Sequence, residues 1–163
     1  MKSLFVGLLL VGLTNTMQAQ SLDIAGVEIQ LGQSATSARA ALSAVYSLEY
    51  DTETHQWYVW AKMPLYEQAR LFYGSITVVA EKVTEVSKSI FGKDRFTLAN
   101  DYTQAIREIS NRSQSKCLTS NAEDATGEIT AVNTTCGRYL VNLSLPQRFP
   151  KATVDAAIHI IMR

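Results

Sequence analysis

The chain has 163 residues, 47% of them hydrophobic, and its 15 Lys and Arg offset 15 Asp and Glu. That length suits one domain or two very small ones, and that apolar share excludes a disordered chain. The cations are scattered (Lys62, Lys82, Lys88, Lys93 and Arg95 lie apart), which removes the electrostatic case for nucleic acid, since neutralising phosphates takes clustered Lys and Arg. No stretch forms a basic amphipathic helix, so a membrane-surface role lacks support too.

The amino terminus reads as an export signal. Lys2 supplies a positive start, Leu4 to Leu13 is apolar, and Thr14 to Gln20 is polar and ends in small residues. The apolar run is too short to span a bilayer, which takes ~20 residues. Cleavage is expected after Ala19, although Met17 is bulkier than the residue usual at its position. The rival readings are a buried strand or an uncleaved anchor. No second long apolar run follows, so no membrane span is expected after cleavage, and the localisation expected is periplasmic or secreted.

Ser21 to Gly26 reads as a loose leader. Val27, Ile29 and Leu31 alternate with Glu28 and Gln30, the period of a half-buried strand. Gly32 breaks the run and Ser34 is placed to cap a helix. Ala38, Ala41, Leu42 and Val45 form one helical face, mostly alanine, suited to lying close on a sheet. Tyr46 to Tyr50 and Gln56 to Lys62 are expected to form a hairpin across the polar turn Asp51 to His55, with Pro64 ending it. Leu71 to Ala80, rich in aromatic and β-branched residues, predicts a further strand. Val83 to Ile90 predicts another, with Glu81-Lys82 as the turn, unless the two segments are one long bent strand.

Gly92 to Asp94 is the best boundary between halves. Thr97 to Arg112 then predicts the second helix, with Leu98, Tyr102, Ala105, Ile106 and Ile109 at helical spacing and Glu108 placed to pair with Arg112. Cys117 to Thr119 reads as a short strand, and Asn121 to Thr126 as a loop. Glu128 to Cys136 and Tyr139 to Leu145 are expected to pair across Gly137-Arg138, burying Val141, Leu143 and Leu145. Pro146 to Lys151 reads as a loop. Val154 to Arg163 satisfies both a helix and a strand pattern, and its β-branched residues favour a strand.

The fold class expected is therefore α+β: two halves, each a helix followed by antiparallel strands, with the helices packed on one face of the sheet. The division is 1–19 signal peptide, 20–92 first half, and 93–163 second half. The common order of elements makes a tandem structural repeat a candidate. Cys117 and Cys136 are the chain's two cysteines, and an even count in an exported protein favours a disulfide, stabilising by about 3 kcal/mol on the entropic account. The rival readings are two buried free thiols or a redox pair, which would sit as C-x-x-C, and a metal site would want His or further Cys at ligand spacing.

The run Ile29-x-Leu31-Gly32-Gln33-Ser34, then Leu42, Trp57-x-Val59 and Tyr73-Gly74-x-Ile76, resembles the exported domains of two families. These are the outer-membrane-assembly lipoproteins BamE (SmpA/OmlA) and the β-lactamase-inhibitor proteins. The resemblance covers about residues 27–86. It implies a helix-on-antiparallel-sheet fold and a role in protein binding in the cell envelope, and it implies no particular partner or site residue. The chain has no lipobox cysteine, and the Glu81-Lys82 turn lacks the family glycine.

Candidate sites are few. Asp51, Glu53 and His55 alternate and would suit a hard or borderline cation, but a polar hairpin loop has the same composition. Ser75, His159 and Asp155 could be assembled into a hydrolase triad on paper, without the sequence context such a nucleophile needs. Asn111, Asn133 and Asn142 each begin an N-x-S/T glycosylation sequon. Tyr58 and Trp60 are more informative. If Trp57 and Val59 face the helix, Tyr58 and Trp60 fall on the other side of the sheet, where exposed aromatics would anchor a partner. The bland alternatives are a second layer or packing between halves. No cofactor or metal is called for. The function expected is a non-enzymatic protein-binding module of the envelope or extracellular space. The alternative is a small-ligand carrier or minor hydrolase with a pocket between helix and sheet, and a third option is a structural envelope component that oligomerises by its sheet edges.

Overall fold

The computed structural model describes residues 20–62, 71–91, 95–123, 129–146 and 157–163. The expected signal peptide and its cleavage point, Pro64, the Gly92–Asp94 boundary and the loop after Pro146 lie outside those residues.

The described residues open on a hairpin where a loose leader is expected. β1 (Ser21–Ile24) pairs antiparallel with β2 (Val27–Gln30). Leu22 and Ile24 are buried and alternate with the half-exposed Ser21 and Asp23. Ala25 and Gly26 both take positive φ, and the Asp23 carboxylate accepts from the Gly26 N–H at 3.0 Å. Two apolar residues carry too little periodicity to separate such a strand from a loop.

α1 (Ala35–Val45) is capped as expected: the Ser34 hydroxyl accepts from the Ser37 N–H at 3.1 Å. Its buried stripe is Ala35, Ala38 and Leu42, whereas the predicted stripe members Ala41 and Val45 face outward. Alanines line several sides of this helix, so the pattern alone does not select one. Past the helix, the Tyr46 hydroxyl donates to the Ala25 carbonyl and ties the first hairpin to the helix end.

The remaining strands form one antiparallel sheet. They are β3 (Ser47–Asp51), β4 (Gln56–Trp60), β5 (Phe72–Val79), β6 (Lys82–Phe91), β7 (Cys117–Glu123), β8 (Ile129–Cys136), β9 (Tyr139–Pro146) and β10 (Ala157–Met162). Between β6 and β7 runs α2 (Arg95–Ser113). The strand order is β3-β4-β5-β6-β10-β9-β8-β7, so each helix is followed by four strands and the last strand of each set meets the other at the centre. The two helices and ten strands among the described residues make a mixed fold that is mainly sheet, and α+β describes it loosely.

Several expected boundaries move. β5 and β6 are two strands joined at Ala80-Glu81, which both take positive φ (48° and 59°), and Lys82 already belongs to β6. A turn at that position without Gly or Asn has no composition signal. β7 continues to Glu123, through half of the expected loop, because it pairs along its whole length with β8. The ambiguous C-terminal segment is a strand from Ala157, held on both sides by β6 and β9. Gly137 takes the left-handed φ of 60° in the expected two-residue turn. The Glu108–Arg112 pair does not form; Glu108 instead accepts from the Gln104 amide at 2.9 Å.

The core lies on one side of the sheet. Trp57, Ile76, Val86, Met162, Tyr139 and Cys136 are partners in one row across six strands. This side packs with Ala38 and Leu42 of α1 and with Leu98, Ala105 and Ile109 of α2 in one continuous apolar cluster. The Arg39 guanidinium lies 5.0 Å above the Trp57 ring, and Tyr102 bonds the buried Thr134 hydroxyl at 2.6 Å. The expected disulfide is present: Cys117 and Cys136 are directly opposed on β7 and β8 and joined.

Candidate functional site

Strand alternation decides which side chains leave the core. On β4, Val59 is fully buried and Trp57 packs against the cluster, so Tyr58 and Trp60 point to the opposite side. The register then slips between Val59 and Trp60, whose partners are Gly74 and Phe72. The slip sends Tyr73 to the core side, against Tyr46 at 5.1 Å between ring centroids. It leaves Phe72 beside the other two aromatics, 5.1 Å from Trp60 and 5.8 Å from Tyr58. Tyr58 and Trp60 meet edge-on at 6.5 Å. Phe72 is the member that sequence reasoning missed, because plain alternation puts Tyr73 in its place and a bulge has no residue signature here.

Gly74, next to this irregularity, faces a close approach from the strand on its other side. Its φ is +153°, and a Cβ there would sit 2.0 Å from the Ser87 carbonyl oxygen. Only a residue without a side chain allows β5 and β6 so close at that point.

The aromatic corner is held from one end by the β3–β4 turn. The Asp51 carboxylate accepts the Glu53 N–H at 2.8 Å, the Thr54 hydroxyl at 2.9 Å and the Tyr58 hydroxyl at 3.2 Å. These donors, the Glu53 N–H foremost, hold the Asp51 carboxyl below the usual carboxylate range. Trp60 is half-buried, and its indole N–H is shielded yet finds no acceptor among the described residues. A buried donor without a partner costs about 1–3 kcal/mol, so an unsatisfied one calls for a reason.

Beyond the aromatics, the middle of this side is neutral and polar. Ser75 bonds Ser87 at 2.7 Å and Gln56 at 3.3 Å. Ser89 bonds the His159 Nδ1 at 2.9 Å. Farther along, the Asn142 amide donates to Asn133 and the Ser144 hydroxyl to Asn142, both at 2.7 Å. Burial holds the His159 imidazole below its ordinary value, favouring the neutral ring.

The other sequence candidates come apart on these strands. His159 meets Ser89 and not Ser75, and Asp155 lies outside the described residues. In the metal candidate, Asp51 is taken up by its own turn and His55 Nδ1 bonds the Tyr50 hydroxyl at 3.1 Å. Among the described residues, no three His, Cys, Asp or Glu side chains converge as a metal site. Of the sequon asparagines, Asn111 is exposed on α2, whereas Asn133 and Asn142 bond each other.

A concavity lies on the helix side. A cleft of about 240 Å³ opens between β1, α2 and the central strands, with Leu22, Ile109 and Ile160 among its apolar walls and Asp23, Lys88, Glu108 and Arg112 as its charged ones. No helix among the described residues is long and apolar enough to cross a membrane. No family model matches the chain, and neither a curated protein nor a solved structure is significantly similar to it.

Proposed function

We propose that the protein is an exported, non-enzymatic binding module of the cell envelope or extracellular space, and that it takes a protein partner on the aromatic corner of the sheet side opposite α1 and α2. The carrying observation is the Tyr58, Trp60 and Phe72 cluster with an indole N–H that has no acceptor among the described residues. Clustered aromatics next to neutral hydrogen-bonding groups are the usual chemistry of interface anchors. An unsatisfied indole donor is a cost that an arriving carbonyl would relieve once the ring shifts to meet it. The Cys117–Cys136 disulfide is compatible with an oxidising compartment and so supports export. We also read the strand order as two like helix-plus-four-strand halves.

The test uses the secreted or periplasmic form of the chain, cross-linked in its native host and identified by mass. Tyr58→Ala with Trp60→Ala is expected to keep the melting curve and lose the cross-linked species, with affinity for the purified partner falling about a hundredfold or more. An unchanged cross-link profile would overturn the reading.

A further inference from the structure

Lys88 is in the wrong place for a structural residue. It sits on β6, at the centre of the sheet, on the side that packs against the helices. Its neighbours along that side are Val86, fully buried, and Ile90, and its cross-strand partners are Gly74 and Ile160. An aliphatic residue there would extend the core. The side chain is instead mostly covered, 28% exposed, and its ammonium has one long contact, 3.5 Å to an Asp23 carboxylate whose side chain is 47% exposed. So loose and wet a pair returns little of the desolvation cost.

The cleft explains what surrounds it. Ala105, Glu108, Ile109 and Arg112 follow one another at helical spacing, so one stripe of α2 forms a wall. Arg112 makes no ion pair among the described residues, since Glu108 is engaged by Gln104. Arg112 lies close enough to Tyr139 to pull the phenol's proton affinity down against the larger effect of burial, which raises it. The Tyr139 hydroxyl holds only a long bond, 3.4 Å, to the Ser21 carbonyl. Two cations and two carboxylates thus face an apolar lining in a space of about 240 Å³, smaller than the range of about 300–1,000 Å³ usual for drug-sized ligands.

We propose that this cleft binds a small zwitterion with an apolar substituent, of the free α-amino acid class. Lys88 and Arg112 take the carboxylate, Asp23 and Glu108 take the ammonium, and Leu22, Ile109 and Ile160 take the side chain. The balance of charge decides against a simple anion, which would meet two carboxylates, and against a simple cation, which would meet Lys88 and Arg112. The site is on the other side of the sheet from the aromatic corner and does not depend on it.

Leucine is the probe, titrated into the purified protein by calorimetry and followed by amide chemical shifts. Leucine is expected to saturate, with leucinamide, which lacks the carboxylate, and isocaproate, which lacks the ammonium, each weaker by about tenfold or more. Arg112→Gln, at an exposed position on the helix, is expected to weaken leucine about tenfold with the melting temperature unchanged. Glu108→Gln is expected to erase the preference for leucine over isocaproate. Lys88→Met is expected to lose leucine while keeping or raising stability, and Tyr58→Ala with Trp60→Ala to leave leucine binding intact. Absence of saturation, equal binding of the three ligands, or unchanged leucine affinity in Arg112→Gln would overturn the proposal.

Discussion

On β5, Ile76 is sealed under the helices, while Ser75 and Thr77 beside it turn to the other side of the same sheet. The contrast holds across the central strands. The helix side is filled by Val59, Ile76, Val86, Val141, Ile158 and Met162, all with essentially no exposure. The other side has Ser75, Ser87, Ser89, His159, Asn142 and Asn133, bonded mostly to one another. One side is closed by shape and the other by internal hydrogen bonds, and each has a residue that departs from its rule. On the apolar side it is Lys88, with its loose ion pair; on the polar side it is Trp60, whose N–H has no acceptor among the described residues. The lesson is that functional candidates stand out as exceptions to a side's own packing logic, more than as motifs.

The sharpest way to break this contrast is at the point where the strands come closest. Gly74→Ala puts a methyl onto the Ser87 carbonyl and is expected to cost about 4 kcal/mol in denaturant unfolding, disturbing both sides through the β5–β6 separation. Next in size is a paired test on neighbouring residues. Ile76→Ala should cost about 3 kcal/mol, as for a buried aliphatic truncated to leave a cavity, whereas Thr77→Ala should stay within about 0.5 kcal/mol. Equal losses at the two positions would erase the distinction between the sides.

The disulfide tests whether the edge of the sheet depends on the core. Cys117→Ser with Cys136→Ser is expected to cost about 2–3 kcal/mol by thermal melting, since the bridge closes a separation of 19 residues in the unfolded chain. The smallest effect concerns His159. Its imidazole titrates below the ordinary value of 6.5 because burial disfavours the charged ring. Above that pH the ring is neutral in both states and adds no slope. As pH falls below it, the unfolded chain takes up the proton first, so stability declines until the folded-state value is passed. His159→Asn should flatten that part of the stability curve, and an unchanged slope would place the titration elsewhere.

Much of the architecture was legible from local pattern. The Ser34 cap, the Gly137 turn and the disulfide follow from residue type and spacing, and so does the placing of Tyr58 and Trp60 away from Trp57 and Val59. What escaped was set by contacts between distant segments. The first hairpin has too few residues to show a period, and β5 and β6 turn on Ala80 and Glu81 without a turn residue. β7 reaches Glu123 only because β8 offers it partners, and the bulge that replaces Tyr73 with Phe72 arises in the β4–β5 register.

The sequence by itself determined which residues alternate, where most helices and strands begin, and that two cysteines stand ready to join. Local sterics, capping and hydrophobic period act over a few residues and are written there directly. Only the tertiary structure decided that β6 and β10, the last strand of each four-strand set, meet at the centre, that α1 buries Ala35 in place of Val45, and that Lys88 lies beneath α2. Those outcomes depend on which distant surfaces exclude water together, a property of the packed assembly of elements that no single segment carries.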